Sequence, residues 1–224
     1  MNSNPINPRF EFRAFGQNLG CAADVLRTTP QTKARTDVLH TYILSATNQR
    51  YDIKMRDDKL DVKVLLREHK GLERWYPYHQ FAFPLTSAFL HEFLFAWLEI
   101  DLPLLRRCHY TVHQFLQELM IPNPHLRTME VCKNRHYYTV NDCQVELGLL
   151  WIDDRHSTQT VAVEGVDAEA VLQTVALLGL QATANINYIV GLQQLLGKDA
   201  SPWVPPIRTE SLMPAIARQL VFTR

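Results

Sequence analysis

The stretch RYDIKMRDDKLDVKVLL, residues 50–66, constrains the fold more than any other part of the chain. It reads as two short strands around a solvated turn at Asp57, Asp58 and Lys59. Side chains alternate between the two faces of a strand. Tyr51, Ile53 and Met55 therefore share one face, and Asp52, Lys54 and Arg56 the other. After the turn, Leu60, Val62 and Val64 alternate with Asp61, Lys63 and Leu65. Lys54, Arg56 and Lys63 can thus converge on one surface. Such a surface is either a solvated sheet face or the lining of a cavity that needs positive charge.

The pattern recurs elsewhere. In RFEFRAF, Arg9, Glu11, Arg13 and Phe15 oppose Phe10, Phe12 and Ala14. Lys133 and Arg135 stand two apart, as Lys54 and Arg56 do. Glu146 shares a strand with Val145, Leu147 and Leu149, and Glu164 ends TVAVE after small and apolar residues. Charges at such positions are costly if buried without partners. A closed barrel resolves the conflict, because apolar residues then pack outward against helices while charged ones line a wet interior. The expected fold class is α+β, a closed antiparallel β-barrel with helices packed outside.

Along the chain, HTYILSA reads as a further strand, and residues 16–37 are interrupted by Gly16, Gly20 and Pro30. The two prolines of WYPYHQFAFPL argue for an edge strand or a loop. AFLHEFLFAWL, capped by Ser87, and TVHQFLQELM form a helical insert. Phe89, Phe93 and Trp97 lie at four-residue spacing and are expected in the core. MEVCKNRHYYTV, CQVELGLLWI and TQTVAVEG return to strands in a meander joined by short turns. A helix beginning at Asp167 follows, and then NINYIVGLQQLLG, whose Asn185, Asn187 and Tyr188 are expected to cap or anchor that helix. SPWVPP reads as a linker and TESLMPAIARQLVF as a last short helix.

Composition excludes little. With 23 basic and 23 acidic residues among 224, the formal net charge is zero and gives no reason to expect nucleic-acid binding. The four cysteines show no C-x-x-C spacing, so neither a disulfide framework nor a zinc ribbon is expected. His109 and His113 are four apart and would share a helix face, but no H-E-x-x-H order accompanies them, and a zinc site is not expected. Cys108, beside Arg106, Arg107 and His109, reads as an incidental thiol. The most apolar segment carries His91, Glu92, Glu99 and Asp101, a poor membrane span. A soluble, cytoplasmic protein is expected.

The order EFR, KMRDDKLDVKVL, KNR, VEL, TVAVEGVD, LGL and NINY resembles the CYTH superfamily, the triphosphate tunnel metalloenzymes. The resemblance implies one tunnel domain over residues 1–197 and a C-terminal linker with a short helix over 198–224. It also implies a closed antiparallel barrel whose polar tunnel binds triphosphate and a divalent metal. In the family's opening E-x-E-x-K, Glu11 fits the second acid, Arg13 stands in for the lysine, and Arg9 replaces the first acid. Lys54 and Arg56 match one basic pair, Lys133 and Arg135 the other, and Lys63 the next-strand lysine. Glu146 and Glu164 match single members of two later acidic pairs, whose companions are Gly148 and Ala162 here.

The resemblance therefore implies that Arg13, Lys54, Arg56, Lys63, Lys133 and Arg135 bind phosphate oxygens. Glu11, Glu146 and Glu164 would be the catalytic carboxylates and would hold Mg²⁺ or Mn²⁺. The implied function is a metal-dependent hydrolase of triphosphate-containing compounds, with inorganic triphosphate the simplest candidate. Basic positions are mostly kept while about half the acids are missing. The alternative is thus a non-catalytic polyphosphate- or nucleotide-binding module with a degenerate metal site; a third class is a structural interaction protein. The partner expected is a triphosphate or nucleotide-like anion, with no membrane and no nucleic acid. A homodimer stays open.

Overall fold

Three two-residue turns shape the sheet. Asp57–Asp58, Lys70–Gly71 and Asn141–Asp142 all have positive φ at both positions. Hairpin turns of this kind match the right-handed twist of the strands they join. The computed structural model of the chain describes residues 7–16, 19–152 and 156–197. The turns link β3 (Tyr51–Arg56) to β4 (Lys59–His69), β4 to β5 (Leu72–Ala82), and β8 (Leu126–Val140) to β9 (Cys143–Ile152). With β1 (Arg9–Gly16), β2 (Gln31–Ser45) and β10 (His156–Gly165), these strands close an antiparallel barrel in the order β1-β10-β9-β8-β2-β3-β4-β5. The short strands β6 (Leu85–Thr86) and β7 (His109–Tyr110) pair separately.

The outer face of the barrel is apolar because helices cover it. Phe10, Phe12, Ala14, Val145, Val161 and Val163 pack with the helices Ala22–Arg27 and Ala168–Leu177. Ile43, Ile53, Met55, Leu60 and Val62 pack under the helical insert. There Trp97 stacks on Tyr51 and meets Phe89 and Phe93, so the aromatic stripe is core as expected. Each such fully buried side chain contributes roughly 1.5–3 kcal/mol. No described helix is long and apolar enough to cross a membrane.

A third core lies inside the barrel. Tyr42, Leu44, Met129, Val131, Leu150 and Ile152 pack against Tyr188, Ile189 and Leu192 of the helix Tyr188–Leu196. This helix plugs one end of the lumen. Its entry is set by Asn187, whose side chain accepts from Val190 N at 3.0 Å, and by Asn185, which accepts from Arg13 N at 2.8 Å. Gly191 is required where the plug meets β1, since a Cβ there would lie 2.6 Å from the Phe15 ring.

Three local expectations are corrected. Within residues 16–37 lie the helix Ala22–Arg27 and the start of β2, which begins at Gln31 rather than near His40. Of the two readings of WYPYHQFAFPL, the strand holds: most of it belongs to β5, paired with β4 along its length and left by β1 beyond Trp75. Its proline is tolerated because β1 accompanies β5 only through Glu73–Trp75 and Pro77 lies beyond, beside a bulge. The insert's first helix is capped by Thr86, not Ser87: Thr86 Oγ1 accepts from Phe89 N at 3.2 Å. His109 and His113 share no helix face, since His109 belongs to β7 and His113 to the helix Val112–Phe115. The C-terminal linker and helix lie outside the described residues.

Candidate functional site

Outward helices turn the other face of every strand toward the lumen, and the apolar plug fills only one end. The remaining end is a charged cup of about 310 Å³. Six basic side chains line it: Arg13, Lys54, Arg56, Lys63, Lys133 and Arg135. Five carboxylates face them: Glu11, Asp52, Asp61, Glu146 and Glu164. All nine residues singled out from the sequence therefore meet around one cavity.

Arg13 is the hub. Its Nε donates to Glu11 Oε1 at 2.9 Å and its Nη1 to Glu146 Oε1 at 3.1 Å. Its guanidinium lies 4.2 Å over the Tyr188 ring. The reach from β1 to β9 crosses β10 at Ala162, the residue opposite both Arg13 and Glu146. The small Ala162 side chain leaves that path open. Arg135 Nη1 lies 3.5 Å from Glu146 Oε2. Burial alone would raise the Glu146 carboxyl, but Arg13, Arg135 and Lys133 overcome it and hold the group at about 2.

The other carboxylates are also partnered. Lys54 Nζ donates to Asp52 Oδ2 at 2.6 Å, Arg56 Nη2 lies 3.4 Å from Asp61, and Arg9 Nη1 lies 3.8 Å from Glu164. Glu164 stands directly opposite Glu11 across the β1–β10 ladder. Burial and that neighbouring charge raise its pKa, against the pull of Lys63 and Arg13.

Of the six cup cations, Lys63 and Lys133 have no carboxylate within ion-pair distance among the described residues. Lys133 is 1% exposed, donates to Tyr42 Oη and sits 3.8 Å over the Tyr188 ring. Burial and the nearby Lys54 and Arg135 push its pKa well down. Lys63 is pulled down by burial, but Glu164, Glu11 and Asp52 raise it more. Arg135 keeps Nε and Nη2 without partners, and both ring nitrogens of the buried His40 are unpartnered. Buried donors left unpaired are costly, so a ligand that accepts from them is favoured.

Sequence reasoning missed His40, Tyr42, Tyr137 and Tyr188, which line the same cavity. His40 and Tyr42 share the parity of a strand face, but nothing in HTYILSA marks that face as the inner one. Tyr188 was expected only to anchor a helix. Its place against Arg13 and Lys133 follows from the plug, which no local pattern announces.

The expected metal carboxylates fit a divalent ion poorly. Glu11 and Glu146 are bridged by Arg13, and no group of three or more His, Cys, Asp or Glu among the described residues is arranged to hold a metal. An acid at position 148 would first have to displace Thr160, whose Oγ1 would lie 2.8 Å from its Cβ.

No protein-family model matches the sequence, and a search of curated proteins finds no match. Solved structures do show similarity. A conserved hypothetical protein from Pyrococcus furiosus aligns at 14% identity and TM-score 0.46, covering 81% of this chain and 98% of that one. The PH1012 protein from Pyrococcus horikoshii aligns at 13% and 0.43, covering 82% and 98%. The Mimivirus capping enzyme triphosphatase aligns at 11% and 0.39, covering 77% and 90%. By its own strand pairing, the chain forms a closed eight-strand antiparallel barrel with a charged lumen, the barrel that the CYTH resemblance implies, here stopped at one end by the helix Tyr188–Leu196.

Proposed function

We propose that the cup binds a triphosphate-type polyanion, either free or as the phosphate chain of a nucleotide-like compound, and does so as a binding module. The observation that carries this reading is the convergence of Lys63, Lys133 and the unpartnered Nε and Nη2 of Arg135 on one cavity. Phosphate oxygens satisfy such donors, arginine through paired hydrogen bonds and lysine as a point charge. Arg13, Lys54 and Arg56, already ion-paired, add positive potential around the anion. Neutral His40 offers a hydrogen bond without adding charge. The four free cysteines suit a reducing, cytoplasmic setting.

Hydrolysis with Mg²⁺ or Mn²⁺ would need Glu11, Glu146 and Glu164 to act together as ligands. Arg13 engages two of them, which favours binding without turnover. Calorimetric titration with inorganic triphosphate, alongside a phosphate-release assay with each metal, tests the reading. Saturable binding without release above a metal-free control is expected. Release above that control would instead support the metal-dependent hydrolase, and absence of binding would remove the proposal.

A further inference from the structure

We infer that the cup takes its polyanion free of metal, with the Arg13 guanidinium occupying the place between carboxylates where a divalent ion would bind. The inference rests on the anion-binding reading above and specifies the state of its ligand.

The geometry is built around this bridge. Arg13 is 3% exposed at its side chain, and the carboxylates it joins, Glu11 and Glu146, are 9% and 6% exposed. Ala162 is fully buried and leaves the space through which Arg13 crosses from β1 to β9. A larger or acidic residue there would meet that path. A side chain at Gly148, opposite Thr160, would have to displace the Thr160 hydroxyl. The positions where a further acid could complete a metal site are therefore crossed by the bridge or crowded by Thr160.

A hard divalent ion takes most of its ligands from oxygen. To obtain carboxylate oxygens here it would have to displace Arg13 from both partners. The guanidinium would then remain buried against Tyr188 with both of its hydrogen-bonded carboxylates taken up by the metal, the arrangement that makes breaking a buried ion pair unfavourable. The other carboxylates offer little in exchange: Asp52, Asp61 and Glu164 each lie within 4 Å of a lysine or arginine, and among the described residues Asp52 Oδ1 alone is a buried carboxylate oxygen without a partner, too few ligands for a hard ion. The free anion, by contrast, meets fixed cations that need no companion ion. Magnesium bound to the anion would mask charge and occupy oxygens that Lys63, Lys133 and Arg135 would otherwise contact.

Calorimetric titration of the full chain with inorganic triphosphate, once in chelator and once with excess Mg²⁺, tests this. Binding is expected in chelator and should be weaker with Mg²⁺ by roughly tenfold, the equivalent of losing one charge-assisted contact. Binding that appears only with Mg²⁺ overturns the inference and leaves the anion-binding reading standing. No binding in either condition overturns both. A second measurement addresses the protein alone: Mn²⁺ titrated into the ligand-free chain and followed by its paramagnetic resonance signal. The native chain should leave the Mn²⁺ signal unchanged, and Arg13→Gln, which frees Glu11 and Glu146, should quench it. Stoichiometric Mn²⁺ binding by the native chain would overturn the inference whether or not the variant folds.

Discussion

Replacing Glu146 by glutamine should weaken the fold and strengthen the grip on anions together. Glu146 is 4% exposed and faces Arg13 at 3.1 Å and Arg135 at 3.5 Å. Its carboxyl is held at about 2, against an ordinary value of 4.5, a gap that corresponds to about 3 kcal/mol. Removing one partner of a buried pair costs a similar amount, about 3–5 kcal/mol. In a chain of this size about 3 kcal/mol lowers Tm by about 6–12 °C. Because the folded pKa is depressed, this stability is fully present above the ordinary value of 4.5 and is lost as pH falls toward about 2. Glu146→Gln should therefore show a flatter stability profile in that acid window. Triphosphate should repair the variant, since it returns negative charge to Arg13 and Arg135. Thermal unfolding with and without saturating inorganic triphosphate, and urea titrations across pH 3–7, measure these effects. An unchanged Tm would refute the argument. So would a loss of metal-free triphosphate binding, which would mean that Glu146 does more than balance the two arginines.

Lys133→Met should raise Tm while weakening triphosphate binding by roughly tenfold or more, since it removes a buried cation with no carboxylate partner and a charge-assisted phosphate contact together. Denaturation and calorimetry on one preparation would expose the trade. An anion favours the charged form of Lys133, whose proton burial and neighbouring cations disfavour, so affinity should fall as pH rises through its titration, with any proton taken up on binding marking that group. Titrations in buffers of different ionisation enthalpy would detect it, and a pH-independent affinity would count against Lys133 as a contact. Gly191→Ala should cost about 1–3 kcal/mol by overpacking the plug against Phe15, measured by urea unfolding.

Much of the site was legible because alternation has only two outcomes. Once Ile53 and Met55 go outward, Lys54 and Arg56 must go inward, and the same parity assigns Glu11 and Arg13 from Phe10 and Phe12. The missing acidic positions were legible too, at Gly148 and Ala162. Their consequence was not. It depends on Arg13 crossing β10, a relation between residues 133 positions apart in the chain. His40, Tyr42 and Tyr188 were missed because aromatic and histidine side chains suit a core as well as a cavity.

Residue order alone determined the strands with one charged face, the turns between them and the helices that could cover the apolar side. Those are local properties, set by side-chain period and by residues that accept positive φ. Only the tertiary structure decided that the helix Tyr188–Leu196 stops one end of the lumen, that Lys63 and Lys133 have no carboxylate within ion-pair distance among the described residues, and that Arg13 joins Glu11 to Glu146. Each of these depends on which strands become neighbours when the sheet closes. Burial then makes every unmatched charge in that closed space costly, so the balance of the lumen is decided by distances between strands that no short stretch of sequence contains.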